Sequence, residues 1–253
     1  MQVDETKDLS LTRLQNGVVR VRLNRAPVNA LNTDFLTAFG ARIDALSEDG
    51  DVRAILIDSP FKAFSAGMDL KESMALDTDG QVAVNDAFNV AMRALYRSPK
   101  PTVTAINGPA IAGGFFFVLA SDCRVAGPNA QFGLAEIRVG ADFPVATMDI
   151  ARAELDPNDL RRFMLTGRPI DAATAAARGI VDHLVAAEEV AARAEAEAQA
   201  LAALPPQTYA AIKSQIRGPV LTVLDANVQA EAARPERRWF RDETKAAMAK
   251  MLA

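Results

Sequence analysis

Two glycine-bearing segments of this chain are suited to directing backbone N–H groups at an anion. They are residues 63–70 (AFSAGMDL) and residues 107–114 (NGPAIAGG). Each follows an apolar, strand-like run, and a helix is expected to begin at Gly113, so that its first N–H groups and its dipole favour negative charge. Donors that already point at one place stabilise an oxyanion as it develops during a reaction. The two segments together predict an oxyanion hole.

A carboxylate suited to acid or base chemistry follows on a similar strand–turn pattern, at Glu136. Asp142 is a candidate second acid, although its position in a loop also suits a cap for a helix that begins near Val145. We do not favour a serine hydrolase, because Ser65 lacks the first glycine of a nucleophile elbow and His183 lies at the start of a predicted strand. Glu136 is therefore the principal candidate base.

The composition is that of an ordinary globular protein. The 253 residues are 50% hydrophobic and 24% charged, with a formal net charge of −4, and they are enough for a substantial core. The acidic balance disfavours nucleic acid and anionic membranes as partners. One cysteine and one histidine exclude an intramolecular disulfide and an ordinary zinc cluster, so no metal site is expected. The acidic, polar N-terminus and the lack of an apolar run of about 20 residues predict a cytoplasmic protein without a membrane span.

Strands and helices alternate through the first half of the chain. Residues 19–23 alternate between apolar side chains and arginines, which is typical of a half-buried strand. An apolar stripe at helical spacing then predicts a helix capped by Asn32 or Thr33. Buried strands are predicted at 52–57 and 102–106, with a second amphipathic helix between them. This alternation indicates an α/β fold.

The predicted strands nearly vanish in the last third of the chain. Asp156 and Pro157 are typical of a helix N-terminus, and residues 190–204 predict an alanine-rich helix. We therefore divide the chain into an α/β core, residues 1–190, and a C-terminal helical region, residues 191–253. The low hydrophobicity of these helices indicates that they pack against the core or against another subunit, or form a helical lid.

Several motifs, in this order along the chain, resemble the crotonase superfamily, which contains enoyl-CoA hydratases and isomerases. They are residues 64–70 (FSAGMDL), 107–114 (NGPAIAGG), 131–136 (QFGLAE), 165–168 (LTGR) and 175–181 (AAARGIV). The resemblance extends from about residue 10 to the C-terminus. It implies an α/β spiral of strand–strand–helix repeats with a helical C-terminal trimerisation region, assembled as a homotrimer or a dimer of trimers. It also implies an acyl-CoA thioester as substrate and no permanently bound cofactor, coenzyme A being part of that substrate.

The resemblance also implies roles for individual residues. The N–H groups of Met68 and Gly113 would hold the thioester oxygen, and Glu136 would act on the acyl chain. Contacts with the substrate or its coenzyme A would come from Arg25, Ala30, Ala66, Asp69, Leu70, Phe116 and Lys213. Arg25 and Lys213 are the candidates for the adenine and pyrophosphate end.

The catalytic pair is where this chain departs from the hydratase pattern. Hydratases of the superfamily carry one glutamate on the helix after the glycines and another near the Gln-Phe-Gly strand, because adding water needs a group to activate it and a proton for the neighbouring carbon. Here Phe116 occupies the first position, and a phenyl ring cannot transfer a proton. If Phe116 neighbours Glu136, its apolar ring would raise the pKa of that carboxyl group towards that of a useful base.

One carboxylate is enough to move a double bond. The chain is most similar to the Δ3,Δ2-enoyl-CoA isomerases, and the expected reaction converts a 3-enoyl-CoA to a trans-2-enoyl-CoA with Glu136 as the base. Two alternatives stay open. The first is an enoyl-CoA hydratase in which Asp142 replaces the missing acid, and the second is a weakly catalytic acyl-CoA-binding protein.

Overall fold

The computed structural model describes residues 3–5 and 8–252. Its strands are β1 (Val3–Glu5), β2 (Leu9–Arg13), β3 (Val18–Leu23), β4 (Ala54–Asp58), β5 (Thr102–Ile106), β6 (Ala110–Ile111), β7 (Cys123–Ala126), β8 (Gln131–Gly133), β9 (Ile170–Asp171) and β10 (His183–Leu184). Its helices are α1 (Thr33–Glu48), α2 (Leu70–Met74), α3 (Thr78–Arg97), α4 (Phe115–Leu119), α5 (Val145–Glu154), α6 (Pro157–Thr166), α7 (Ala172–Ala177), α8 (Val190–Ala202), α9 (Pro206–Ala232) and α10 (Asp242–Leu252).

The main sheet has seven strands in the order β1-β2-β3-β4-β5-β7-β10. The pairs β1-β2 and β2-β3 are antiparallel, whereas the strands from β3 to β10 pair in parallel. A smaller sheet has the order β6-β8-β9. Parallel strands need crossover connections, and the helices in those connections cover both faces of the sheet. The central strands β4 and β5 are accordingly buried at every position.

Two apolar clusters fill the two faces of the main sheet. Ile55 and Ile57 of β4 belong to the larger cluster, together with the buried faces of α1 and α3. Ala54 and Leu56, which alternate with them, belong to a smaller cluster beneath α8. This alternation is the period of two that a strand requires when both of its faces are covered. The α/β class predicted from the sequence is confirmed.

Helix α1 begins where its sequence predicts. The side chain of Asn32 accepts a hydrogen bond from the backbone N–H of Phe35 at 3.0 Å, so Asn32 rather than Thr33 is the cap. The apolar stripe is buried against α3. The two helices approach closely at Gly40, where a Cβ atom would lie 3.2 Å from the Cα of Ala91.

The C-terminal third is helical apart from the two-residue strands β9 and β10. Helix α9 packs against α5 and α3, and α10 packs against α2 and a 3₁₀ turn, Glu136–Val139. The last helix therefore reaches back to the turn that carries the predicted base. Within the part of the chain described, no helix combines the length and the apolar character that crossing a membrane requires.

Candidate active site

Both glycine-bearing segments and Glu136 line one narrow cavity of about 90 Å³. Six of the residues predicted for the site from sequence share this cavity: Met68, Gly113, Glu136, Ala66, Leu70 and Phe116. Most of the other lining side chains are apolar. A narrow apolar cavity with a few polar groups is suited to holding an acyl chain in one orientation.

Short bridges between backbones hold the two segments side by side. The first segment pairs with the second through a parallel bridge between Ser65 and Ala110, and with the loop before α1 through a bridge between Leu31 and Met68. Leu31 donates to the carbonyl of Gly67 and accepts from the N–H of Asp69, both at 2.8 Å. In such a bridge the central residue directs its own N–H away from the partner strand. The Met68 N–H is therefore turned away from Leu31.

The second donor candidate lies in a 3₁₀ turn, Ala112–Gly114, that leads into α4. Gly113 is the second residue of this turn, and the first N–H groups of a helix have no partner within it. Ala112 adopts a left-handed conformation, with φ of 52°, which is uncommon for a residue with a Cβ. The chain thus makes a sharp change of direction directly before Gly113.

The glycines are required because the segments approach so closely. Gly67 has φ of +83°, and a Cβ atom there would lie 2.8 Å from the Cβ of Ala112 and 3.3 Å from the nitrogen of Gly113. A Cβ at Gly114 would lie 2.5 Å from the carbonyl oxygen of Ser65. Side chains at these positions would force the two backbones apart. Glycine therefore keeps Met68 and Gly113 within one cavity.

Glu136 is the one titratable residue among the described residues that line the cavity. It begins the 3₁₀ turn after β8, and only 8% of its surface is exposed. Its Oε2 atom is buried without a hydrogen-bond partner. Burial raises the pKa of Glu136 to about 8, because the ionised carboxylate loses the stabilisation of water. A buried carboxyl group with one unpartnered oxygen and a raised pKa is typical of a catalytic acid or base.

Phe116 forms part of the apolar surroundings of this carboxyl group. The side chain is buried on α4, lines the same cavity as Glu136 and packs edge-on against Phe143, with 6.3 Å between ring centroids. The sequence-based hypothesis that the phenyl ring neighbours Glu136 in an apolar site agrees with this arrangement. The position that would carry the first hydratase glutamate therefore offers no proton donor or acceptor.

The C-terminal region closes the cavity, as the helical-lid alternative allowed, but the sequence did not identify the residues that do so. Trp239 and Met251 line it, together with Phe88 and Thr147 from α3 and α5. The indole of Trp239 packs against Phe88, with 6.0 Å between centroids, and its N–H donates to the backbone carbonyl of Asp142 at 3.0 Å. Trp239 is the only tryptophan in the chain, and that is the one signal in the sequence that marks it.

The structure contradicts both interpretations of Asp142. Its side chain is half exposed, forms an ion pair with Arg241 at 2.8 Å and does not line the cavity. The N-terminal cap of α5 is Pro144, without a side-chain hydrogen bond, so Asp142 does not cap that helix. Asp142 cannot replace the missing carboxylate while it points at Arg241.

Arg25, Ala30 and Asp69 lie together outside the cavity, beside an open groove of about 800 Å³. The guanidinium of Arg25 donates to Asp69 Oδ2 at 2.9 Å, to the Ala30 carbonyl at 2.7 Å and to Glu72 at 2.5 Å. Asp69 also accepts from the N–H groups of Lys71 and Glu72 and so caps α2. The charge of Arg25 is thus already balanced by two carboxylates.

Lys213 is not available for the adenine and pyrophosphate end, which corrects the sequence-based prediction. Its side chain is buried, and its ammonium donates to Asp122 Oδ2 at 2.6 Å and to the Lys100 carbonyl at 2.9 Å. Arg217 contacts the other carboxylate oxygen of Asp122 at 2.9 Å. Lys213 faces the core because the buried Asp122, which lies 91 residues earlier in the chain, needs a cation nearby to remain ionised.

Comparisons with known proteins agree with this architecture. Residues 13–250 match the family model described as enoyl-CoA hydratase/isomerase. The chain is 32% identical over 200 residues to the probable enoyl-CoA hydratase EchA17 of Mycobacterium tuberculosis, covering 79% of this chain and 77% of that protein.

Solved structures of enoyl-CoA hydratases and isomerases also resemble this chain. A crystal structure of the probable enoyl-CoA hydratase EchA3 of Mycobacterium tuberculosis superposes with a TM-score of 0.83 and 29% identity, covering 90% of this chain and 95% of that one. An apo structure of the same Mycobacterium tuberculosis protein, which that structure names an enoyl-CoA isomerase, has a TM-score of 0.79 and 29% identity, covering 90% of this chain and 98% of that one. The fold is therefore the crotonase fold, with its strand–strand–helix elements and a helical C-terminal region. The chain belongs to the enoyl-CoA hydratase/isomerase family and is an enzyme of that family.

Proposed function

We propose that this enzyme isomerises a 3-enoyl-CoA to a trans-2-enoyl-CoA. The observation that carries the proposal is the single buried carboxyl group of Glu136 in a cavity where Phe116 stands at the other catalytic position. An allylic proton shift needs one base that removes a proton and returns it. Hydration needs a second group to activate water, and the described lining of the cavity offers none.

The proposed reaction moves one proton and two electron pairs. The thioester oxygen accepts hydrogen bonds from the N–H groups of Met68 and Gly113, which makes the C2 proton more acidic. Glu136 removes that proton, and the electrons of the C2–H bond delocalise through the double bond and the carbonyl to form a dienolate. The carboxylic acid then returns the proton at C4, and the double bond remains between C2 and C3. No water, metal or redox partner enters the balance.

The electrostatics of Glu136 support this role. A carboxyl group with an ordinary pKa is a weak base, whereas the raised pKa of about 8 makes the carboxylate a stronger base and its conjugate acid still able to give the proton back. One structural neighbour carries both a hydratase name and an isomerase name, which is compatible with either reaction. The hydratase name of EchA17 favours enoyl-CoA hydration as the second candidate.

A parallel assay with two substrates tests the proposal. The purified protein is given a 3-enoyl-CoA, for which double-bond migration is followed, and a 2-enoyl-CoA, for which addition of water is followed. We expect migration with negligible hydration. Efficient hydration would favour the second candidate, and inactivity on both substrates would favour a binding role.

The raised pKa predicts a distinctive pH dependence of the isomerase. The ionised form of Glu136 is the base, and it predominates only above its folded-state pKa of about 8. We therefore expect kcat/KM to rise about tenfold per pH unit up to pH 8 and to level off above it, since kcat/KM reports the groups of the free enzyme. Initial rates between pH 6 and pH 9.5 measure this. A flat profile over that range would show that the base has an ordinary carboxyl pKa.

We propose further that the enzyme is a homotrimer or a dimer of trimers and works in the cytoplasm. Ile212, Ile216 and Val223 lie on one face of α9 and are each at least half exposed, which is typical of a helix that packs against another subunit. A single cysteine is typical of proteins in a reducing compartment.

A further inference from the structure

A cluster of metal-ligating side chains lies beneath α8, among residues that take no part in lining the cavity. Cys123 is the first residue of β7, and His183 lies in the neighbouring strand β10, paired with Val125 in parallel register. Cys123 and Val125 are two residues apart and so face the same side of the sheet. Helix α8 covers that side and contributes Glu197 to the cluster.

The distances suit a small cation. One ligand atom each from Cys123, His183 and Glu197 lie within 4.8 Å of one another, and His183 Nε2 is 3.3 Å from Glu197 Oε1. Bonds of about 2.0–2.3 Å in a tetrahedral zinc site separate the ligand atoms by about 3.3–3.7 Å. The histidine–glutamate pair already has this spacing, and the sulfur lies no more than 4.8 Å from either partner atom.

A cationic side chain already contacts two of these groups. The guanidinium of Arg193 lies 3.1 Å from His183 Nδ1 and 2.8 Å from Glu197 Oε1. Imidazole nitrogen and carboxylate oxygen are therefore arranged to stabilise positive charge. The Arg193 side chain is 43% exposed and lies one turn before Glu197, so it can turn out into solvent without disturbing the core.

We propose that Cys123, His183 and Glu197 bind a zinc-class divalent cation, and that Arg193 competes with this cation for the site. On binding, the Cys123 thiol releases its proton to solvent and the sulfur donates an electron pair to the metal, without oxidation or reduction. Thiolate and carboxylate neutralise the two positive charges, and water completes the coordination. The sequence predicted no metal site, because one cysteine and one histidine cannot form an ordinary zinc cluster. The fold adds the carboxylate from another element.

Titration of the tag-free protein with Cd²⁺ tests the site, because a cadmium–thiolate bond has an ultraviolet charge-transfer band and the chain has one cysteine. We expect the band to saturate at one equivalent and to disappear when Zn²⁺ is added in excess. Cys123→Ala should abolish the band. His183→Ala and Glu197→Gln should each weaken Cd²⁺ binding at least tenfold.

The Arg193→Gln variant should change Cd²⁺ affinity in the opposite direction to the ligand variants. Removing the competing cation should strengthen Cd²⁺ binding about tenfold, whereas an unrelated loss of structure would weaken it. Glu188→Gln, which removes an exposed carboxylate just before α8, is the control and should bind as the wild type does. The proposal is overturned if neither the wild type nor Arg193→Gln shows the band at several equivalents of Cd²⁺. It is also overturned if His183→Ala and Glu197→Gln bind as tightly as the wild type, because the cysteine would then be acting alone.

Discussion

Glu136→Gln is expected to lower kcat for isomerisation of a 3-enoyl-CoA by about 10³-fold, within the 10²–10⁴ range typical of general acid–base catalysis. Glutamine has the shape of the neutral carboxylic acid and fits the same buried position, but it cannot remove the C2 proton. The walls of the cavity and the N–H groups of Met68 and Gly113 are unchanged, so binding should be retained. Steady-state kinetics give kcat, and calorimetry with a saturated acyl-CoA gives the binding constant.

Asp142→Asn is the matched control for this loss. It removes a carboxylate that pairs with Arg241 outside the cavity, and it should leave kcat within about twofold of the wild type, because a half-exposed ion pair contributes little. Full turnover by Glu136→Gln would contradict the one-base mechanism. A large loss of kcat in Asp142→Asn with none in Glu136→Gln would show that Asp142, and not Glu136, is the base.

Asp122→Asn is expected to lower the free energy of unfolding by about 3–5 kcal/mol, the usual cost of removing one partner of a buried ion pair. The Asp122 carboxylate balances Lys213 and Arg217, which are both less than a tenth exposed. Asparagine has the same size and can still accept from the Thr102 N–H, but it leaves two buried cations without a counter-charge. Urea denaturation at pH 7, with the slope of the transition compared between variants, measures the change.

The control for this prediction comes from the same network. Adding Lys213→Met to Asp122→Asn removes one of the unpaired cations and should restore part of the lost stability, since the two residues act as a pair. A change below about 1 kcal/mol in Asp122→Asn would mean that Lys213 is not held as the structure shows. Its ammonium would then be free for the coenzyme A role predicted from sequence.

The sequence predicted well those features that depend on neighbouring residues. The cap at Asn32, the helix that Pro157 begins and the turn before α4 follow from local hydrogen bonding and backbone freedom, and all three are present. Alternation of apolar side chains and arginines predicted β3, and continuous apolar runs predicted the buried strands β4 and β5. Strand β2 was missed, because it lies near the edge of the sheet and most of its residues are only partly buried, so its hydrophobic pattern is weak.

The sequence predicted the glycine-bearing backbone of the candidate site and its candidate base, but not the contacts of the other side chains. The glycines and Glu136 belong to short motifs whose spacing is visible in one segment. The partners of Lys213 and Asp142 lie 91 and 99 residues away in the chain, and charge alone does not reveal which carboxylate a cation will meet. Trp239 was missed for the same reason, since its contact with Phe88 exists only after the last helices pack on the core.

The C-terminal wall of the cavity has a consequence for biosynthesis. The strands, the two glycine segments and Glu136 leave the ribosome before Trp239 and Met251, and N-terminal parts of a chain begin to fold first. Until α10 reaches the Glu136–Val139 turn, the cavity lacks this wall and the Glu136 carboxyl group is more open to water. The burial that raises the pKa of Glu136 is therefore complete only after residues more than 100 positions further along the chain have packed against the core.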